Sequence, residues 1–221
     1  NALAQAYNHA ILPLLDRRDK RTQVRWGLAH FRHTFGRAAE GMWLPETAAD
    51  PESLDVLAEA GVQFTVLAPW QLTAVRASAD APWRREVGVD DLGRGYRYRT
   101  PGGRDIALFF YDGGIARQVA FERLLEDGGR FASRLIDAAL SRKPDAPLLN
   151  IATDGETYGH HHRFGEMALA YALGRVQEHP GITLTNYASF LDTYHPLWEA
   201  EVLERGSWSC AHGVERWRAD C

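Results

Sequence analysis

Five short apolar runs, each ending among polar residues, alternate along this chain with helical patterns, and that alternation restricts the fold more than any other feature. The runs are GMWLPE (41–46), GVQFTVLAPWQ (61–71), DIALFFYDGG (105–114), PLLNIATDGE (147–156) and GITLTNY (181–187). They are apolar without alternation and rich in β-branched and aromatic residues, as strands covered on both faces of a parallel sheet are. Helical patterns fill the gaps. Val24, Leu28, Phe31 and Phe35 recur at helical spacing and share one face. Asp50 and Pro51 before ESLDVLAEAG supply an N-cap, a first-position proline and a terminal glycine. Phe131, Leu135, Ala138 and Ala139 predict a core-facing helix, as do Phe164, Met167, Ala168, Tyr171 and Ala172. Together these patterns predict an α/β fold of βαβ units. Residues 76–104 break the rhythm. They are polar and glycine-rich with a short YRYRT alternation, and are expected to form an excursion carrying a small hairpin or a lid.

Composition narrows the function classes. A net charge of −4 gives no footprint for nucleic acid or an anionic membrane, and no apolar run reaches the roughly 20 residues of a membrane span. Cys210 and Cys221, without CxxC spacing, predict plain thiols rather than a zinc ribbon or a disulfide framework. A reduced compartment, the cytoplasm, is the expected location. Aromatic residues make up 11% of the chain, seven of them tryptophan, enough to supply sugar-stacking platforms as well as core.

In parallel α/β folds, function gathers in the loops after the strands. The expected strand ends supply Trp43 and Glu46, then Trp70 and Gln71, then Tyr111 and Asp112, and finally Asp154, Glu156 and the run His160–His162. Two acids, Glu46 and Asp154, directly follow apolar runs, where a carboxylate is poorly solvated unless something pairs or uses it. Two converging carboxylates are the minimum equipment of glycoside hydrolysis.

GMWLPETA and ATDGETYGHH resemble two signature regions of glycoside hydrolase family 57, the retaining α-glucan enzymes. The resemblance covers most of residues 1–195 and runs closest to an α-amylase-like branch. It implies that Glu46, in its WLPE context, is the nucleophile and that Asp154, in DGETYG, is the acid/base, with Glu156 the accompanying acid. AYNHAILPLL resembles the family's short second region, which places His9 near the sugar. The resemblance further implies an incomplete (β/α)7-type barrel, here lacking the family's opening H-x-H-Q-P strand, so upstream residues are expected to be missing and full activity is not expected of this piece. Residues 1–195 would then be a partial catalytic domain and 196–221 the start of a C-terminal extension.

The expected activity is a retaining glycosidase or transglycosidase on α-glucans that needs no metal or organic cofactor. Trp43 and Trp70 would stack on sugar rings, and Gln71, Asp112, Glu156 and His160 would line the sugar's path. Two readings from other classes stand beside it. A metal-dependent carbohydrate deacetylase would use Asp154 or Asp112 with at most two of the adjacent histidines, since neighbouring side chains point different ways. A catalytically silent sugar-binding domain would keep glucan affinity when Glu46 is replaced.

Overall fold

The structure, a computed structural model, describes residues 2–221. In chain order its elements are β1 (Ala4–Gln5), α1 (Arg17–Phe35), β2 (Met42–Trp43), α2 (Pro51–Glu59), β3 (Phe64–Leu67), β4 (Leu72–Arg76), β5 (Tyr96–Arg99), β6 (Asp105–Phe110), α3 (Gly113–Phe121), α4 (Gly128–Leu140), α5 (Gly165–Gln177), α6 (Tyr187–Thr193) and β7 (Glu199–Val202). The chain divides into two compact units. The first comprises the chain through Val87 with Gly95–Phe110 and Asn186–Cys221, and the second Gly88–Arg94 with Tyr111–Thr185.

In the first unit the parallel strands form where the sequence is apolar without alternation. All four residues of β3 are buried, as are the last five of β6, and the two pair in parallel from Phe64 with Ala107 to Leu67 with Phe110. β1 pairs in parallel with β2, and a bridge between Gly41 and Phe64 carries the parallel run onward to β3. A side chain at Gly41 would lie 2.3 Å from the Phe64 ring, so only glycine lets the backbones approach there. The rest of the sheet is antiparallel in part. β5 forms a hairpin with β6 inside the polar 76–104 segment and its exit, and β4 pairs antiparallel with β7. β7 lies beyond residue 195 yet belongs to this five-stranded sheet, whose order is β3-β6-β5-β7-β4.

α1 begins where the Asp16 carboxylate accepts the Asp19 N–H and ends at left-handed Gly36. Its buried stripe holds Val24 and Phe31, while Phe35 is exposed and packs on Phe31. α2 starts as expected, with Asp50 accepting the Ser53 N–H at 2.7 Å and Pro51 in the first position. Charge joins the two helices. Lys20, 2% exposed, donates to Asp50 and Glu52, and Arg17 bonds Asp55 at 2.6 Å.

The second unit is helical. Ile115 and Val119 of α3, Phe131 and Leu135 of α4, and Ala172 and Val176 of α5 make its core. Three expectations are corrected here. α5 buries Gly165, Ala168, Ala172 and Val176, whereas Phe164, Met167 and Tyr171 are exposed. The stripe is turned by about one residue because close packing against α4 selects the smallest side chains for the seam. Residues 147–156 are extended but form no strand: Leu148 donates to Gly93 and Asn150 accepts from Asp112, two isolated bonds rather than a ladder. Residues 181–187, in turn, form no strand: they lead into α6, which begins at Tyr187 and is capped by Asn186. No helix among the described residues is long and apolar enough to cross a membrane.

Candidate active site

The loop after β2 turns sharply at Pro45, and Glu46 and Thr47 both lie in the left-handed region, at φ 58° and 50°. Each such non-glycine residue costs about 1–3 kcal/mol, and a β-branched threonine is among the least tolerant, so the surroundings must impose the turn. They do so from two sides. Buried Gln71 accepts the Thr47 hydroxyl at 2.8 Å and the Ala68 N–H at 2.9 Å, and its amide donates to the Thr47 carbonyl at 2.9 Å. From the other side, the Trp208 N–H donates to the Glu46 carbonyl at 2.9 Å and its indole N–H to Glu46 Oε2 at 3.0 Å.

That second clamp leaves Glu46 Oε1 facing His9 Nε2 at 3.8 Å. His9 is itself left-handed, at φ 53°, and largely exposed. Trp43 packs edge-on against Trp208 with ring centres 5.1 Å apart. Half-exposed Trp70 is held at its indole N–H by the Ser207 carbonyl at 2.8 Å, which leaves ring surface to solvent. His9, Trp43, Glu46 and Trp70 are thus tied into one neighbourhood of the first unit, and the segment Ser207–Trp208 links three of them. Sequence reasoning missed Trp208. Its only local signal is a tryptophan in a small, polar RGSWSC stretch.

The second unit holds the other expected residues. Asp154 opens a one-turn 3-10 helix, Gly155–Thr157, with its carbonyl accepting the Thr157 N–H at 3.1 Å and its side chain exposed. Nearby Tyr111 is buried. Burial first, and the Asp154 charge second, push its phenol well above the ordinary range, so it stays a neutral donor. Exposed Glu156 uses its backbone carbonyl to hold His161 N–H at 2.9 Å.

Asp112 lies elsewhere in its chemistry: its buried carboxylate caps α3 through the Ile115 N–H at 3.0 Å and pairs with buried Arg142 at 2.7 Å. Exposed His160 packs edge-on against His161, while His162 Nε2 meets the Ala120 carbonyl at 2.9 Å. Among the described residues, the one group of three metal-competent side chains with converging ligand atoms is Cys210, His212 and Cys221, and it includes none of these histidines.

The description of glycosyl hydrolase family 57 matches residues 2–199. The chain belongs to glycosyl hydrolase family 57. Solved structures agree with this family fold. A 4-α-glucanotransferase from Thermococcus litoralis is 20% identical with a TM-score of 0.73, over 93% of this chain and 30% of that one. An exo-type maltose-forming amylase from Pyrococcus sp. ST04 is 16% identical with a TM-score of 0.76, over 97% and 38%. A family 57 branching enzyme from Thermococcus kodakaraensis, solved in complex with glucose, is 19% identical with a TM-score of 0.75, over 99% and 51%. This family 57 chain therefore spans between about a third and a half of each of these proteins. Comparison with curated proteins finds no match.

Proposed function

We propose that this chain carries a retaining α-glucan active site, hydrolytic or transferring, with Glu46 as nucleophile and Asp154 as acid/base, in a fold whose parallel strands belong to an incomplete (β/α)7 barrel. The observation that carries the reading is Glu46 itself. A carboxylate in a left-handed turn, pinned by the Trp208 indole and faced by a histidine, is fixed at a conformational cost that a solvated surface acid does not meet. Membership of family 57 and the fold it shares with glucan-active enzymes support the substrate class.

In this mechanism Glu46 Oε1 attacks the anomeric carbon, Asp154 protonates the departing glycosidic oxygen, and a glycosyl ester forms on Glu46. Asp154, now a carboxylate, takes the proton of the incoming water or sugar hydroxyl, which attacks the anomeric carbon, breaks its bond to the Glu46 oxygen and releases Glu46 as a carboxylate. Oε2 stays on the Trp208 donor throughout. His9 and the Trp43 and Trp70 faces contact sugar, Glu156 and His160 line its path, and Gln71 and Asp112 act by holding the loops.

The test is covalent trapping, which requires only one turnover. Incubation with a 5-fluoro α-glycosyl fluoride should leave a glycosyl ester that peptide mass spectrometry locates on Glu46. An ester on another carboxylate would sink the assignment. Acetate release from an acetylated chitooligosaccharide, without any glycosyl ester, would move the reading to the deacetylase.

A further inference from the structure

We propose that Cys210, His212 and Cys221 form a zinc site that staples the segment holding Glu46. The three donors lie within residues 210–221 of an irregular loop, and local structure explains why they meet. A C-x-H step places two of them on one turn. Gly213 then folds the chain back at φ 61°, its N–H donating to the Cys210 carbonyl at 2.9 Å. A side chain there would lie 2.1 Å from the Arg205 carbonyl oxygen, so the reversal needs glycine. The 3-10 turn Gly213–Trp217 follows, and Arg218 and Ala219 both donate to the Glu215 carbonyl, which returns the chain so that Cys221 comes back to Cys210.

The ligand geometry suits a tetrahedral ion. Cys210 Sγ lies 3.5 Å from Cys221 Sγ and 3.7 Å from His212 Nδ1, and the three ligand atoms all lie within 4.8 Å of one another. Zinc–sulfur bonds of about 2.3 Å and zinc–nitrogen bonds of about 2.0–2.1 Å put tetrahedral neighbours roughly 3.8 Å (S···S) and 3.6 Å (S···N) apart. The backbone N–H of His212 already points at Cys210 Sγ, 3.4 Å away, the donor that a metal-bound thiolate uses to spread its charge. Two thiolates and an imidazole select zinc over magnesium or calcium. Binding releases one proton from each thiol, and the resulting Cys2His complex is neutral, with solvent completing the fourth position.

Position gives the site its role. Cys210 is two residues from Trp208, whose backbone and indole both hold Glu46. Within the same loop Val214 donates to the Arg205 carbonyl at 2.9 Å and Arg216 to the Ser209 carbonyl at 3.1 Å. A metal that closes Cys210 onto Cys221 would fix both ends of this loop and make Trp208 a rigid arm. The proposal stands on the loop's own geometry and is independent of which reaction Glu46 serves.

The test is titration of the reduced, metal-stripped chain with cobalt(II) under anaerobic conditions. Expected are one equivalent of binding, a thiolate-to-cobalt charge-transfer band with intense visible bands, and their loss when zinc is added. C210S and C221S should each lose the charge-transfer intensity, and H212A should keep part of it with weaker binding. Zinc should also protect both thiols from a disulfide reagent in the unsubstituted chain, a readout that needs no variant. Two thiols reacting at the same rate with and without zinc would overturn the proposal. So would a chain two mass units light through a Cys210–Cys221 disulfide that, once reduced, takes up no cobalt.

Discussion

Glu46 is held by one side-chain hydrogen bond whose donor can be removed without removing the ring that packs there. Trp208→Phe deletes the indole N–H but keeps an aromatic face on Trp43. A hydrogen bond to a carboxylate contributes about 1.5–3 kcal/mol, so kcat/KM on a maltooligosaccharide should fall roughly 10- to 150-fold with the fold intact by circular dichroism. Unchanged kinetics would show that the bond does nothing for the reaction. Asp154→Asn, which cannot transfer the proton, should cost about 10²- to 10⁴-fold, and least for substrates with an acidic leaving group that departs unaided; a loss independent of leaving group would refute the acid role. Both proposed acids could be nominated from the sequence because each follows an apolar run within a recognisable local pattern. Trp208 could not, since it meets Glu46 across 162 residues and nothing local to it records that partner.

At the scale of elements, the buried Asp112–Arg142 pair ties the N-cap of α3 to the residue that follows the C-cap of α4. Arg142→Met leaves a buried carboxylate without its cation, and the midpoint of urea unfolding should drop by the equivalent of about 3–5 kcal/mol. A loss below about 1 kcal/mol would mean that solvent reaches Asp112 after all. Gln71→Leu strands the Thr47 and Ala68 groups that its amide serves, for an expected destabilisation of about 1–3 kcal/mol in the same measurement. The α2 cap and the α1 stripe were readable because they depend on neighbours within a turn or two. The buried face of α5 was misread because Phe164, Met167 and Tyr171 have the hydrophobicity of a core, yet the face that α5 buries carries Gly165, Ala168, Ala172 and Val176. The extended run at 147–156 lacks a ladder for a related reason: apolarity reports burial, and burial does not require a strand partner.

At the scale of the whole molecule, the α/β class and its parallel strands followed from apolar runs, and the YRYRT alternation anticipated β5 as one arm of a hairpin. β7 was not legible: EAEV reads as surface until Arg97 and Arg76 are seen to meet Glu199 across the sheet. These ion pairs and the Asp55 cluster predict acid sensitivity. Burial alone would raise the Asp55 carboxyl, but hydrogen bonds from Arg17 and Thr100 and the charges of Arg17 and Arg104 hold it below the ordinary range. A depressed folded value means that the stabilisation is complete above the unfolded value of about 3.9 and is lost as pH falls through the lower folded one. Stability should therefore be flat through neutral pH and decline below about pH 4, and Asp55→Asn should be less stable at neutral pH with a shallower acid decline. An identical acid slope in the variant would remove Asp55 from the explanation.

The Trp208 clamp also sets a schedule for synthesis. Glu46 leaves the ribosome 162 residues ahead of the indole that fixes it, an interval of roughly 8–30 s at about 5–20 residues per second. Throughout that interval the nascent chain carries its proposed nucleophile without the partner that orients it, so catalytic competence would arrive only once the Trp208 segment has been translated.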